Sequence, residues 1–485
     1  MTTPTPLTDR ARHLLYLAAL LALAATIRFR FLSGFSSGAA VAEFDPWRHL
    51  TLIDNLRAGA GFTLFDGQPY IWYNSLWYRL AALFGPSRDA AFLSAGLSML
   101  SLAVFYWFLI RTERSTVAAV AGGVLVAAYG PLVAFTGGYG SESMTLLLML
   151  VSCLLATFQP SRLAVAAAGV AFGVVLVSRV NFVFAGFIIW PLLKDWKQRA
   201  GFGAAAGVVL AIATWHTHAV LAAYPYVFTW DGMATRSADY NLVSTVAPQL
   251  HPAIAAATRE LYLRAAALPY DFTSRGPAAA GNVVFVVLAT MCVLATMRPW
   301  LIAATVTPMA YFLLFDATLS TNFYRHHLAV FPSMFIGVGV VCSRLAAGTR
   351  GLPPMAVLGW PGLLLILILS GVSYWKPLAM PTLAMVTPTP DGLTDGHYMV
   401  NSGLYHPESL IHRYPEKKFI GMPYDPADFD AFAEHYADYR HILWRREFSV
   451  QDRLMTGLIE SGRYRVVGRA ASESRMAYVI LEKLR

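Results

Sequence analysis

Two acids stand close together in Glu43-Phe-Asp-Pro-Trp-Arg-His49, directly after the first apolar run of the chain. Carboxylates near hydrocarbon are costly unless paired, solvated or metal-bound, so acids at that position carry a functional expectation. Asp45 can orient or deprotonate an attacking hydroxyl or amide, or ligate a divalent metal. It can equally be the N-cap of the helix that Pro46 opens, and one carboxylate can do both. Glu43 shares that work or stays a solvated loop acid, and His49 faces the same side as Asp45 one turn on, behind it rather than beside the reacting atoms. A second acid, Glu142, closes the turn Gly137-Gly-Tyr-Gly-Ser-Glu142 and stands near Tyr139. Its alternative role is a surface acid favoured by the dipole of the helix it starts. Two carboxylates from separate loops suit Mg²⁺ or Mn²⁺, and a metal-free site remains the alternative.

Cations complete the set. In Asn322-Phe-Tyr-Arg325-His-His-Leu-Ala-Val-Phe-Pro332, Arg325 can hold a phosphate with two parallel N–H bonds, and His326 can add a donor. The competing reading is an interfacial arginine reaching for lipid headgroups. Arg179, in Ser178-Arg-Val-Asn181, interrupts apolar sequence and is a second candidate for the phosphate. Tyr70, Trp72, Tyr73, Trp77 and Tyr78 can stack on sugars, but an anchoring belt at the headgroups is the simpler expectation. No Walker loop or dinucleotide fingerprint is present, which argues against a nucleotide donor held in a soluble domain.

The elements that must position these residues are mostly membrane-like. The chain is 56% hydrophobic and 13% charged, against roughly 45–50% and 25% in soluble domains. About eleven spans are predicted, at roughly 14–32, 91–110, 117–136, 143–158, 163–178, 182–193, 202–221, 282–297, 300–315, 328–342 and 353–373. Basic residues concentrate in alternate short connections: Arg10 and Arg12, Arg111 and Arg114, Arg162, Lys194 with Lys197 and Arg199, Arg298, and Arg344 with Arg350. The positive-inside rule makes that side cytoplasmic. It also explains the net charge of +9 without nucleic acid. Cys153, Cys292 and Cys342 lie in apolar runs and read as small hydrophobes, not as a disulfide or zinc framework.

This topology puts the loops 33–90, 137–143, 222–281 and 316–327, and the tail 374–485, on the extracytoplasmic or periplasmic face. Residues 1–373 then form the transmembrane module. The tail reads as a small α/β domain: strands at Lys418–Met422, His441–Trp444, Tyr464–Gly468 and Met476–Leu481, and helices at Ala427–Tyr436 and Val450–Glu460.

Within this frame the stretch from Phe44 to Tyr78 resembles the first external loop of the catalytic subunit of oligosaccharyltransferases. The match is an Asp-Pro-aromatic element opening an amphipathic helix, followed by an acid–asparagine pair, here Asp54-Asn55. The turn ending at Glu142 resembles that family's second acidic element, with Gly140 where its first acid stands. More broadly, both elements resemble the GT-C superfamily of membrane glycosyltransferases. The Arg325 segment is similar to the pattern that opens a late helix in many of those enzymes, where the arginine faces lipid phosphate. The W-W-D-Y-G element that reads acceptor sequons in oligosaccharyltransferases is absent after Tyr374, and Glu260 is the only glutamate of the loop 222–281. The resemblance implies a polytopic helical protein that transfers a sugar or oligosaccharide from a polyprenyl-(di)phosphate donor to a glycan, lipid or protein acceptor, with inversion and without sequon specificity. Asp45 is then the base or metal ligand, Glu142 its partner and Arg325 the phosphate clamp. A lipid-linked sugar flippase without transferase activity is the main rival, and a membrane scaffold presenting its tail is a third reading.

Overall fold

A computed structural model describes residues 6–36, 46–65, 68–69, 75–130, 132–133, 141–158, 161–223, 277–315, 327–348, 359–371, 393, 396–400, 409–423, 426–445, 449–471 and 477–484. The described chain is mostly helical, with one small sheet near the C-terminus. It divides into two compact units, one formed by residues 1–41, 91–213 and 237–378, the other by 42–90, 214–236 and 379–485.

In the first unit lie α1 (Pro6–Ser36), α4 (Ala90–Glu113), α5 (Thr116–Ala128), α6 (Glu142–Ala156), α7 (Arg162–Ser178), the short α8 (Gly186–Ile189), α9 (Trp196–Ala223, as far as Ala213), α10 (Pro277–Ala295), α11 (Pro299–Phe315), α12 (Phe331–Ala346) and α13 (Gly359–Gly371). The second unit begins with α2 (Pro46–Arg57) and α3 (Ser75–Phe84). Each of the eleven predicted stretches contains a helix. Among the described residues, only Arg10–Phe29, Ala90–Glu113 and Trp196–Val220 are both long and apolar enough to cross a bilayer. The others are shorter: Thr116–Ala128, for example, stops before Pro131, which lacks the N–H that a continuing helix would need. At about 1.5 Å per residue, such a helix falls short of the roughly 30 Å hydrocarbon layer.

Packing in this unit centres on α12, where every residue from Phe331 to Cys342 is buried. Two glycines let its neighbours close on it. A Cβ at Gly339 would stand 2.8 Å from the Ala118 carbonyl oxygen of α5, and one at Gly337 would stand 3.0 Å from Cα of Val293 on α10. Gly169 and Gly173 do the same for α7 against α9, the small-xxx-small spacing typical of helices packed without a hydrophobic driving force. Tyr129 stacks on Phe285 and meets Phe331 and Phe335 edge-on.

One end of this unit gathers the basic residues. Arg344 donates to the last carbonyls of α10, at Ala295 and Thr296, and Arg111 reaches Thr157 at the end of α6. Arg298 binds Glu113 in bidentate fashion at 2.6 and 2.8 Å. Cations at helix C-termini satisfy orphan carbonyls and complement the helix dipole.

The second unit joins the first long loop to the tail. Its sheet, in the order β2-β1-β3-β5-β4, comprises β1 (His397–Val400), β2 (Lys418–Gly421), β3 (His441–Arg445), β4 (Tyr464–Ala471) and β5 (Ala477–Lys483). β1 runs parallel to β2 and β3, while β5 is antiparallel to β3 and β4. Between the strands stand α14 (Ser409–Arg413), α15 (Phe429–His435) and α16 (Ser449–Glu460). Met399, Ile420, Ile442, Trp444 and Leu481 pack with Phe429, Phe432, Met455 and Leu458 of α15 and α16. Trp444 also donates its indole N–H to Asp452 at 2.8 Å. The tail strands and helices anticipated from sequence are present, but β1 and α14 were not anticipated. β1 is only four residues long, and its interior place between β2 and β3 follows from pairing with strands further along the chain.

Against this domain lies the first loop. α2 is buried from Arg48 to Ile53 and packs on α3, whose Trp77 and Tyr78 are fully buried. These two rings are core residues of the unit, not members of an exposed belt. Tyr70, Trp72 and Tyr73 lie outside the described residues.

Candidate functional site

Of the residues expected to do chemistry, Glu142, Arg179 and His49 are among those described; Glu43, Asp45, Tyr139, Arg325 and His326 lie outside the described residues. Glu142 and Arg179 are together. Glu142 is the first residue of α6 and is fully buried, while Arg179 follows the last residue of α7, its side chain 8% exposed. Nη2 of Arg179 donates to Oε1 of Glu142.

The local structure explains the meeting. α6 and α7 are consecutive helices joined by the short turn at Thr157–Ser161, so they pack as an antiparallel hairpin and the start of one lies beside the end of the other. A carboxylate at a helix N-terminus and a guanidinium at a helix C-terminus each complement the local dipole. Both charges thus have a helix end and an ion partner to offset lost hydration. Two further polar atoms are left over here. Among the described residues, Nε of Arg179 and the hydroxyl of the adjacent, buried Ser143 have no hydrogen-bond partner. Unsatisfied buried donors are costly.

Arg179, expected as a phosphate ligand, thus engages the acid. Its pairing also bears on the metal expectation. Glu142 is the described half of the expected Asp45–Glu142 pair, and one of its carboxylate oxygens accepts from a guanidinium. Among the described residues, no group of three or more His, Cys, Asp or Glu is arranged to hold a metal. Mg²⁺ and Mn²⁺ take several oxygen ligands, and the other expected one, Asp45, lies outside the described residues.

A third cation, missed from sequence, lies on α1. Arg28 is 1% exposed and donates to Ser98 Oγ at 2.6 and 3.2 Å and to the Ala127 carbonyl at 3.1 Å, with longer contacts to Ala24 and Val126. It satisfies the last carbonyls of α5. The signal was available: an arginine inside an apolar run demands a partner.

His49 does different work. It is buried, its Nδ1 lies 2.7 Å from the Tyr78 hydroxyl, and the two rings stack with centroids 5.7 Å apart. His49 thereby ties α2 to α3. The Asp54-Asn55 pair is likewise occupied with shaping the loop: Asp54 accepts from Ser87 Oγ at 2.9 Å, and Asn55 donates to the Thr63 carbonyl at 3.0 Å.

No known protein family matches this chain. A search of curated proteins likewise finds no match. The functional reading therefore rests on the residues themselves.

Proposed function

We propose that this chain is a multi-pass integral-membrane glycosyltransferase of the GT-C type, with its reaction site and tail on the extracytoplasmic face. It transfers a sugar or oligosaccharide from a polyprenyl-(di)phosphate donor to an acceptor glycan, lipid or protein. The observation that carries the reading is the buried Glu142–Arg179 pair. A carboxylate and a guanidinium, picked out separately from sequence, share one spot at the ends of α6 and α7 remote from the basic cluster. Clustering of Arg111, Arg298 and Arg344 at the other end supports the predicted sidedness.

In the mechanism, Asp45 takes the proton of the acceptor hydroxyl or amide as its O or N attacks the anomeric carbon. The bond from that carbon to the phosphate oxygen breaks, and the electron pair leaves with the polyprenyl phosphate. A single displacement inverts the anomeric centre, and the transition state has oxocarbenium character. Arg325 and His326 stabilise the charge growing on the leaving phosphate. Glu142, fixed by Arg179, faces the positive sugar ring or orients the acceptor.

The test uses full-length protein in detergent with a labelled lipid-linked sugar. The wild type forms product, Asp45→Asn and Glu142→Gln lower its rate at least about 100-fold, and chelation of divalent ions leaves the rate unchanged. Normal turnover by both variants removes the catalytic assignment. Movement of the donor across liposomes with no product formed establishes the flippase instead.

A further inference from the structure

We infer that the tail is a clamp on the first loop, with Gln68 and the Thr51–His412 contact as positioning elements for the helix that Asp45 precedes; the catalytic half of this inference rests on the transferase reading above. Four observations converge on it. First, residues 42–90 and 379–485 belong to one compact unit although more than half of the chain separates them. Second, the buried side chain of Gln68 pairs with the backbone of Gly421 in both directions, donating to the carbonyl at 3.1 Å and accepting from the amide at 2.9 Å. Gly421 ends β2, the edge strand of the sheet, so the Gln68 amide supplies the ladder contact that a further strand would make. Third, Thr51, buried on α2, lies 2.9 Å from Nε2 of His412 on α14. Fourth, Gln68 is itself held in a tight turn, with its amide bonded to the Phe65 carbonyl at 2.6 Å and its carbonyl accepting from Leu64 at 3.0 Å.

The physical consequence is rigidity. An isolated twelve-residue helix is marginal in water. α2 gains its fixed orientation from α3 on one side, through His49 and Tyr78, and from the tail on the other, through Thr51. A carboxylate must be held within a few tenths of an ångström to act as a base, and Asp45 directly precedes this helix. The tail therefore tunes the reaction without touching substrate. The same contact occupies the β2 edge, so an extended acceptor peptide cannot add there.

The experiment compares full-length wild type, Thr51→Val, Gln68→Met and the conservative Thr51→Ser in detergent. Hydrogen exchange is read across α2 and β2, and kcat and KM are measured with a lipid-linked sugar. Thr51→Val and Gln68→Met are expected to speed exchange in α2 about ten-fold and to lower kcat about ten-fold at constant KM, while Thr51→Ser stays near wild type. Unchanged exchange in both variants overturns the clamp. Faster exchange with unchanged kcat overturns the positioning role. If the wild type makes no product, the transferase reading fails, and the exchange rates still decide whether the tail holds α2.

Discussion

At the scale of single residues, the Glu142–Arg179 pair illustrates how burial turns electrostatics into an all-or-none matter. Each charge loses most of its hydration at a helix end, and each recovers part of it from the other and from the helix dipole. Removing one partner strands the other. Arg179→Met is expected to cost about 3–5 kcal/mol, whereas the double variant Glu142→Gln/Arg179→Met regains much of that loss. Thermal unfolding of the four proteins in detergent checks this cycle, and equal, additive losses would show that the two side chains act independently. The surface pair of Arg465 with Glu482 behaves differently. Its partner arginine holds the Glu482 carboxyl below its ordinary range, yet Arg465→Ala is expected to leave the thermal midpoint nearly unchanged because water screens the contact. The contact between Glu142 and Arg179 was readable in principle: the two residues lie almost equally far from Pro160, which a helical hairpin brings to the same height. Nothing local in either segment reveals that their charges are turned toward each other.

At the scale of elements, helix spacing in the first unit is set by glycines more than by large side chains. Gly339→Ala places a methyl group 2.8 Å from a backbone oxygen and is expected to destabilise by about 1–3 kcal/mol. Gly203→Ala on α9 meets nothing within 4 Å and is expected to stabilise by about 0.5–1 kcal/mol through helix propensity. Opposite shifts in the thermal midpoint are the readout, and parallel shifts would refute the packing account. The sequence showed where the helices lie because apolar runs and turn residues are local signals. It did not show that Gly337 and Gly339 serve two different neighbours, since one glycine looks like another until facing helices are known. β1 was missed for a related reason. Four residues carry too little periodicity to distinguish a strand, and the strand forms because β2 and β3 pair with it on either side.

At the scale of the whole molecule, the tail is expected to respond to alkali. Burial pushes the phenols of Tyr464 and Tyr478 up to about 12. In the unfolded chain they ionise near their ordinary value of about 10, so the folded form holds its protons longer. Their contribution is complete below about pH 10 and is lost as pH rises from there toward about 12. Unfolding of the tail followed by Trp444 fluorescence should advance across that window, together with the tyrosinate absorbance of the two residues. Tyrosinate absorbance that rises around pH 10 with Trp444 unchanged would contradict the assigned burial.

The sequence by itself determined the helical, apolar character of the chain, its alternation of basic connections with polar loops, and most elements of the tail, because composition and periodicity act over short distances. Tertiary structure decided which of those pieces belong together. It joined the loop after α1 to the tail, set Arg179 on Glu142, and assigned His49, Trp77 and Tyr78 to packing. These are contacts between segments far apart in sequence, fixed by the burial of polar groups that must find partners wherever the fold brings them.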